Sequence, residues 1–409
     1  MKETLDDLRL EPPGMVIADA KKNFSFSINY GNPTMWKKGT GRILSMYLYL
    51  QLEKDKKGNA RIHPSKNQFR EKYKAYQGQN LSGKSVLIWR TGGLGDLCFI
   101  NPSMRWMKKQ WPDCKIYFAC SPTYKYLIEN WSCIDQFVDF PVPSIYLDKC
   151  NYHVTFEGVI ERCREAEKTN AYKLFSQWLG LEIPKEELIP EFSTDSKFDA
   201  FVDEYLKQNN LDNFIVAQLR TSSPIRTPPT ECWSNIFVPL LKDGHKIVIT
   251  DAPRMYDRLN KFIELAIPEQ YRNQVYNFSK HSSDIKASVS LINRARMAIS
   301  PDTSMIHLAQ AINCPTLGIY GAFPGEIRMS TYKNVDWVEP SESDVCKFKG
   351  RHCCLHGQSC DAIKKGGVAP CYGYLDYEEV YSKACRLLKA REEGYEREQP
   401  IEEGENANE

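Results

Sequence analysis

One feature constrains the fold more than any other: a short apolar strand that runs into a glycine turn and then a helix. Val86-Leu-Ile-Trp-Arg90 reads as a buried strand and Thr91-Gly-Gly-Leu-Gly-Asp96 as a tight turn. Pro102–Trp111 has helical spacing, with Met104, Met107 and Trp111 on one side, and Lys115–Cys120 is the next strand. Strand, helix and strand within about 35 residues is a βαβ unit, which demands parallel pairing. A second run of the same kind begins near residue 213. Phe214–Leu219, His245–Thr250 and Pro315–Tyr320 read as strands, and Ala298–Ser300 ends another. Trp233–Leu241 and Arg254–Leu265 read as helices, and a third opens at Pro301-Asp302 and runs to about Asn313. The expected class is α/β with two doubly wound halves joined near 195–212. Residues 121–200 show mixed helical and loop patterns.

The 409 residues allow two globular units plus extras, or three. Before the first half, Phe24–Tyr30 alternates apolar and polar residues, Gly31-Asn-Pro33 reads as a turn and Leu44–Leu50 as another strand. This predicts a small β unit over 1–52. Residues 53–84 hold nine Lys/Arg against three Asp/Glu and read as a basic linker or a solvated face. The halves are expected at 85–200 and 201–340, a Cys-rich finger at 341–372 and a C-terminal helix at 373–392. The tail from Arg391 has eight Glu against two Arg, so residues 393–409 read as disordered.

Composition excludes several function classes. Hydrophobic residues make up 42% and charged residues 26%, enough for large cores and against a disordered or fibrous chain. The net charge of +2 argues against a nucleic-acid binder that relies on overall positive charge. No run of about 18 apolar residues spans a membrane. The polar start Met1-Lys-Glu-Thr-Leu-Asp-Asp-Leu-Arg9 has no apolar signal region, so a cytoplasmic address is the expectation.

Three segments carry chemistry. The glycine turn fails the dinucleotide fingerprint, because its glycines fall at 92, 93 and 95 and no third glycine opens the helix. It leaves Asp96 at the carboxyl edge of a parallel sheet, where ligands bind in open α/β folds. The plainer reading of Asp96 is a helix N-terminal cap. The second segment is Ser300-Pro-Asp-Thr-Ser-Met-Ile-His-Leu-Ala309. Thr303 and Ser304 sit in a first helical turn, where N–H groups and hydroxyls attract phosphate, and His307 shares a face with Thr303. Capping alone for Asp302 and a satisfied core histidine for His307 stay open. The third is Gln218-Leu-Arg-Thr-Ser-Ser-Pro-Ile-Arg226, whose hydroxyls and two arginines after a strand suit a diphosphate or form a polar surface loop.

Together these segments resemble glycosyltransferase family 9, the lipopolysaccharide heptosyltransferases. Leu87–Leu97 with Asn101-Pro-Ser-Met-Arg105 resembles the family's first strand, turn and helix start. Ser300–Ala309 resembles its Asp-Thr-Gly-x-x-His-Leu-Ala hallmark, and Gly318-Ile-Tyr-Gly321 its next strand and glycine. Thr221, Ser222, Arg226 and Trp233 fall at the spacing of the phosphate-loop hydroxyls, the basic residue and a downstream Trp. The likeness covers about residues 85–390. It implies a GT-B-type architecture, two Rossmann-like domains facing across a cleft, and inverting transfer without a catalytic metal. It implies Asp96 as general base, Thr221, Ser222 and Arg226 on the diphosphate, Asp302 on donor-sugar hydroxyls, and Thr303, Ser304 and His307 on phosphates or ribose. Ser304 departs from the usual Gly, and Arg226 stands where several members have Lys. Asp251 is near the family's further acidic position.

Fourteen cysteines are many for such a chain. Eight are scattered from Cys98 to Cys314 beside apolar residues, as buried thiols are. Five cluster: Cys346, Cys353, Cys354, Cys360 and Cys371, with His352 and His356 among them. Thiolates in such a cluster suit tetrahedral zinc or iron, and unbound thiols or disulfides are the alternatives. The autotransporter heptosyltransferase branch resembles the chain further, with an N-terminal β unit and a four-cysteine iron finger. That implies Cys346, Cys354, Cys360 and Cys371 as ligands of a structural metal away from the sugar chemistry. The function expected is transfer of a sugar, heptose from ADP-heptose, to a hydroxyl of a glycan or protein. The alternatives are another sugar-nucleotide enzyme on this fold and a non-catalytic binding or assembly protein. Expected partners are the nucleotide sugar and its acceptor, not nucleic acid; homo-oligomers and peripheral membrane contact are compatible with the chain.

Overall fold

The computed structural model describes residues 15–26, 34–45, 49–50, 52, 58–62, 73–128, 131–321, 323–340, 360–364 and 367–393. The chain opens with β1 (Met15–Ala20), β2 (Phe24–Phe26), β3 (Thr34–Trp36), β4 (Gly41–Ser45) and β5 (Ala60–Ile62). Strand β1 pairs antiparallel with β4 and β5, and β2 with β3. Trp36 is fully buried, its ring 5.2 Å from Phe24 and 5.6 Å from Phe26. The strand expected at Leu44–Leu50 starts earlier, at Gly41, and residues 49–50 are helical. The turn at 31–33 lies outside the described residues. Part of the stretch read as a linker is ordered: β5 falls within it, and Tyr76 and Leu81 are buried. Strand β4 reaches the next layer, where the Ile43 N–H donates to the Val142 carbonyl at 2.8 Å and Ile43 packs with Leu87 and Trp89.

The first parallel sheet follows. Its strands are β6 (Ser85–Arg90), β7 (Lys115–Cys120), β8 (Gln136–Phe137) and β9 (Tyr152–Thr155), in the order β8-β7-β6-β9. Helix α1 (Leu94–Gln110) crosses from β6 to β7, and α2 (Ala171–Trp178) packs on α1. Helix α3 (Ser196–Gln208) occupies the expected junction. The second sheet holds β10 (Phe214–Ala217), β11 (Lys246–Ile249), β12 (Val275–Asn277), β13 (Met297–Pro301), β14 (Thr316–Ile319) and β15 (Val335–Val338). All its pairs are parallel, in the order β12-β11-β10-β13-β14-β15. That is the doubly wound order, with the reversal between β10 and β13. Helices α4 (Thr230–Lys242), α5 (Tyr256–Ala266), α6 (Ile285–Arg294) and α7 (Ser304–Ala311) connect these strands, and α8 (Tyr377–Glu393) returns against α4 and β15. Two Rossmann-like sheets thus face one another, as the GT-B class requires.

Both sheets are buried on both faces, so their strands are continuous apolar runs rather than alternating ones. Val86–Arg90, Phe214–Ala217 and Met297–Pro301 are buried at every position. The halves meet through α1 and α7. There the Phe99 and His307 ring centroids lie 4.6 Å apart, and the Tyr172 and Tyr332 hydroxyls are 2.5 Å apart. Among the described residues no helix is long and apolar enough to cross a membrane. The eight scattered cysteines form no disulfide, and all but Cys150 are buried, as their apolar neighbours predict. The acidic tail beyond residue 393 lies outside the described residues.

Candidate active site

Parallel strands deliver every following loop to one edge. At the reversal of strand order, neighbouring loops diverge and leave a crevice. In the first half the loop after β6 carries Thr91–Gly93 and then Asp96 in the first turn of α1. In the second half the loops after β10 and β13 carry Gln218–Arg226 and Asp302–Thr303. The edges face each other across a cavity of about 480 Å³. Asp96, Thr221, Ser222, Arg226, Asp302, Thr303, Ser304 and His307 all line it, so one cleft collects residues from three separate segments. Arg220, Asp251, Arg254 and Arg328 complete its charges.

Asp96 is held from two sides. Its Oδ2 accepts from the Gly93 N–H at 3.1 Å, closing the helix start, and from Arg90 Nη2 at 2.9 Å. Both readings of Asp96 therefore coexist: it caps α1 and it faces the cleft. Its Oδ1 takes no hydrogen bond among the described residues. Arg90 is almost fully buried. It also donates to Glu161 Oε1 at 2.6 Å and to the Phe156 carbonyl at 2.6 Å. Burial works against its charge, but Asp96, Glu161 and Glu157 outweigh it and raise the guanidinium above its ordinary value. A Cβ on Gly92 would fall 2.3 Å from the Asp96 carboxylate and 2.5 Å from Arg90 Nε, so only glycine admits this pair.

Across the cleft, the buried Asp302 carboxylate is also committed. Oδ2 meets Arg226 Nη1 at 3.0 Å and Oδ1 lies 3.6 Å from Arg328 Nε. Burial opposes its ionisation, and the two guanidiniums reverse that, holding the carboxyl below its ordinary value. Arg226 is raised in turn, mainly by Asp302. Arg328 lies over the Phe323 ring at 4.4 Å and over Phe99 at 5.6 Å. Asp251 differs. Burial raises its carboxyl, only partly offset by the Ala252 N–H and by Arg220 and Arg254, and its Oδ2 is buried without a hydrogen bond. Arg254 forms no ion pair among the described residues, and Arg220 reaches only the Met255 sulfur, at 2.8 Å.

The hydroxyls divide into two groups. Thr221 Oγ1 donates to the Ser223 carbonyl at 2.6 Å and accepts from the Ser223 N–H at 2.9 Å, so it shapes its own loop. Thr303 Oγ1 accepts from the Met305 N–H, which makes it the cap of α7, and donates to Gln218 Oε1 at 2.9 Å. The helix begins at Ser304, later than Pro301-Asp302 predicts, because the Thr303 side chain rather than Asp302 caps it. Ser222 Oγ keeps only a 3.4 Å contact with Arg226 and remains available. His307 is almost fully buried and bonded through Nδ1 to the Tyr332 hydroxyl at 2.6 Å. Burial pushes its pKa down to about 4 against a partial pull from Asp302, so the ring is neutral. The core-histidine reading holds for Nδ1; the opposite edge packs on Gly95, a Cβ on which would lie 3.4 Å from Cδ2. Trp233 donates from Nε1 to the Leu219 carbonyl at 3.0 Å, fixing the end of β10 behind the loop.

Of the proposed metal ligands, Cys360 and Cys371 are buried in the core of the second half. Cys346 and Cys354 lie outside the described residues. Among the described residues no cluster of His, Cys, Asp and Glu could hold a metal ion. Sequence reasoning missed Arg90, Glu161, Arg328, Tyr172 and Tyr332. Glu161, Arg328, Tyr172 and Tyr332 act through partners far along the chain, and no local pattern marks them; Arg90 reads only as the end of a strand, six residues before its partner Asp96.

The sequence model of the family described as glycosyltransferase family 9 (heptosyltransferase) matches residues 165–340. This segment is similar in sequence to that family, and it spans less than half of the chain. Among solved structures, a glycosyl transferase family 9 protein from Veillonella parvula is 14% identical. It covers 76% of this chain and 99% of its own length, with a TM-score of 0.57. The ADP-heptose lps heptosyltransferase II of E. coli is 11% identical over 76% of this chain and 99% of its own, also at 0.57. TibC, a bacterial iron-containing dodecameric glycosyltransferase from enterotoxigenic E. coli, is 13% identical, covers 93% of both chains and scores 0.52. No curated protein sequence matches the chain.

The neutral His307 gives a pH dependence with a definite sign. The unfolded chain takes up a proton near pH 6.5, while the folded chain resists until about pH 4. Acid therefore favours unfolding across that window, and His153, also lowered to about 4 by burial, adds to it. Urea midpoints should fall between pH 7 and pH 4.5, and His307→Gln should make that fall shallower.

Proposed function

We propose that this cleft transfers a heptose from ADP-heptose to a hydroxyl of a glycan or protein, with inversion at the anomeric carbon. The observation that carries the reading is the meeting of Asp96 from one half with Ser222, Arg226 and Asp302 from the other around one cavity. The resemblance of the three motifs to the heptosyltransferases supports the donor, as does the E. coli ADP-heptose heptosyltransferase among the structural neighbours. Asp96 accepts the proton of the acceptor hydroxyl as that oxygen attacks the anomeric carbon. The bond from that carbon to the diphosphate breaks, and its electron pair stays on the diphosphate oxygen. Charge grows there as the bond breaks, so fixed donors aimed at it lower the barrier. Arg226 and Ser222 supply those donors, with Arg220 and Arg254 nearby. Thr221 and Thr303 act by shaping the two loops. Asp302 orients Arg226 and Arg328 until sugar hydroxyls enter. The cleft's two walls come from different halves, so donor and acceptor are aligned only when both are bound.

We assign the chain to the cytoplasm, where such a donor is available. Its 93% two-way coverage with the dodecameric TibC supports a homo-oligomer. The iron in TibC supports a structural metal on Cys346, Cys354, Cys360 and Cys371, since four thiolates are a donor set that zinc and iron accept. Bound there, a metal would brace a segment with little apolar core of its own. Elemental analysis should find about one zinc or iron per chain, and chelation should lower the melting temperature. A metal-free protein of equal stability would remove the metal.

Asp96→Asn keeps the cap geometry and removes the base. It should cut kcat by about 100-fold or more while ADP binding stays within about twofold. Undiminished turnover would remove Asp96 from this role. In a thermal-shift series of nucleotide sugars, ADP-heptose should stabilise the protein most. A larger shift with a uridine or guanosine diphosphate sugar would overturn the donor.

A further inference from the structure

The Cys-rich finger read at 341–372 ends at Tyr372, which touches the loop that carries Arg226. Tyr372, next to Cys371, is almost fully buried, and its hydroxyl donates to the main-chain carbonyl of Arg226 at 2.8 Å. Its ring occupies the space left by Gly321, where a Cβ would fall 2.8 Å from the ring carbon that bears the hydroxyl. Tyr372 does not line the cleft, so it cannot act on a ligand there directly.

The loop 220–227 is bonded mostly to itself. Thr221, Ser223 and Thr227 exchange hydrogen bonds within it. Hydrogen bonds tie it to the rest of the molecule at three points among the described residues: Arg220 with the Met255 sulfur, the Arg226 guanidinium with Asp302, and the Arg226 carbonyl with Tyr372. The first is weak, because a thioether is a poor acceptor. The second is put at risk when a diphosphate competes with Asp302 for the guanidinium. The third is independent of what occupies the cleft. It grips the main chain of the residue whose side chain must turn to the phosphate.

We infer that Tyr372 is a positioning residue for Arg226, and that through it the turn Pro370–Tyr374 tunes affinity for the nucleotide diphosphate. The inference rests on the reading of Arg226 as a diphosphate ligand. Tyr372→Phe deletes one hydroxyl and leaves the ring in place. Binding of ADP to the full chain, measured by calorimetry, should weaken about 3- to 10-fold, the scale of one hydrogen bond. KM for the donor should rise with it, and KM for the acceptor should stay unchanged. A merely structural role would lower the melting temperature without this split. Gly321→Ala, which displaces the ring, should weaken ADP in the same sense. In an Arg226→Ala background Tyr372→Phe should have no further effect. Wild-type ADP affinity in Tyr372→Phe, or full additivity with Arg226→Ala, overturns the inference. Failure of Arg226→Ala itself to weaken ADP overturns the diphosphate reading beneath it.

Discussion

A buried carboxylate survives only beside cations, and Asp302 is the carboxylate on which this cleft turns. Leaving such a charge unpaired costs several kcal/mol, so its partners are fixed in place as firmly as it is. Arg226 comes from the loop after β10 and Arg328 from the stretch between β14 and β15. Asp302 itself directly follows β13. One ion cluster therefore knots three connections of the second sheet. Arg328 carries the knot across to the first half, where its guanidinium lies over Phe99 of α1. His307, on the helix that Asp302 precedes, packs edge-on against the same ring. Loss of Asp302 would leave two buried or half-buried cations facing each other, a larger penalty than loss of one ion pair.

The first half repeats the device with the signs exchanged. Arg90, at the end of β6, is the buried cation, and Asp96 and Glu161 share its second amino group while Glu157 lies 4.0 Å from the first. Glu161 and Glu157 follow β9, the strand on the far side of the reversal from β7. The guanidinium thus bridges the two loops that diverge at the switch point, and it aims Asp96 as a consequence of satisfying its own charge. Both halves place a preorganised charged residue at the same topological position, which parallel sheets of this strand order make available.

The long, apolar elements were legible in the sequence because double-sided burial writes an unbroken run of apolar residues. β6, β7, β10, β11, β13 and β14 fall where those runs are. The strands that escaped notice are short or interrupted by polar residues whose partners are distant. β8 has two residues, β9 contains the buried His153, and β15 contains the buried Asp336, which is compensated by Lys383 and Arg386 from α8. The site shows the same split. Asp96, Ser222, Arg226, Asp302 and His307 sit in local motifs. Their companions Glu161, Arg328, Tyr172 and Tyr332 are defined by contacts between segments, which spacing does not encode, and Arg90 shows its role only through Glu161 and Glu157 as well as the nearby Asp96. Thr221 and Thr303 line the cleft, and their hydroxyl oxygens also hold the loop and the helix cap.

The net charge of +2 describes the whole chain and conceals how the cleft is charged. Four arginines line it, at 220, 226, 254 and 328, against three aspartates, at 96, 251 and 302. Asp302 is shared by Arg226 and Arg328, and Asp96 is committed to Arg90 from behind. Arg220 and Arg254 are left without ion pairs, and both act on Asp251, whose charge burial disfavours. On the proposed reading, an entering diphosphate would meet Arg220 and Arg254, which form no ion pair among the described residues, without first displacing an existing pair. On the same reading, exchange of Arg226 from Asp302 to phosphate would replace one anion by another rather than strip a cation bare. Stepwise replacement of this kind would let a highly charged donor bind in a cleft whose own charges are already satisfied, and the Tyr372 anchor on the Arg226 main chain lies outside that exchange.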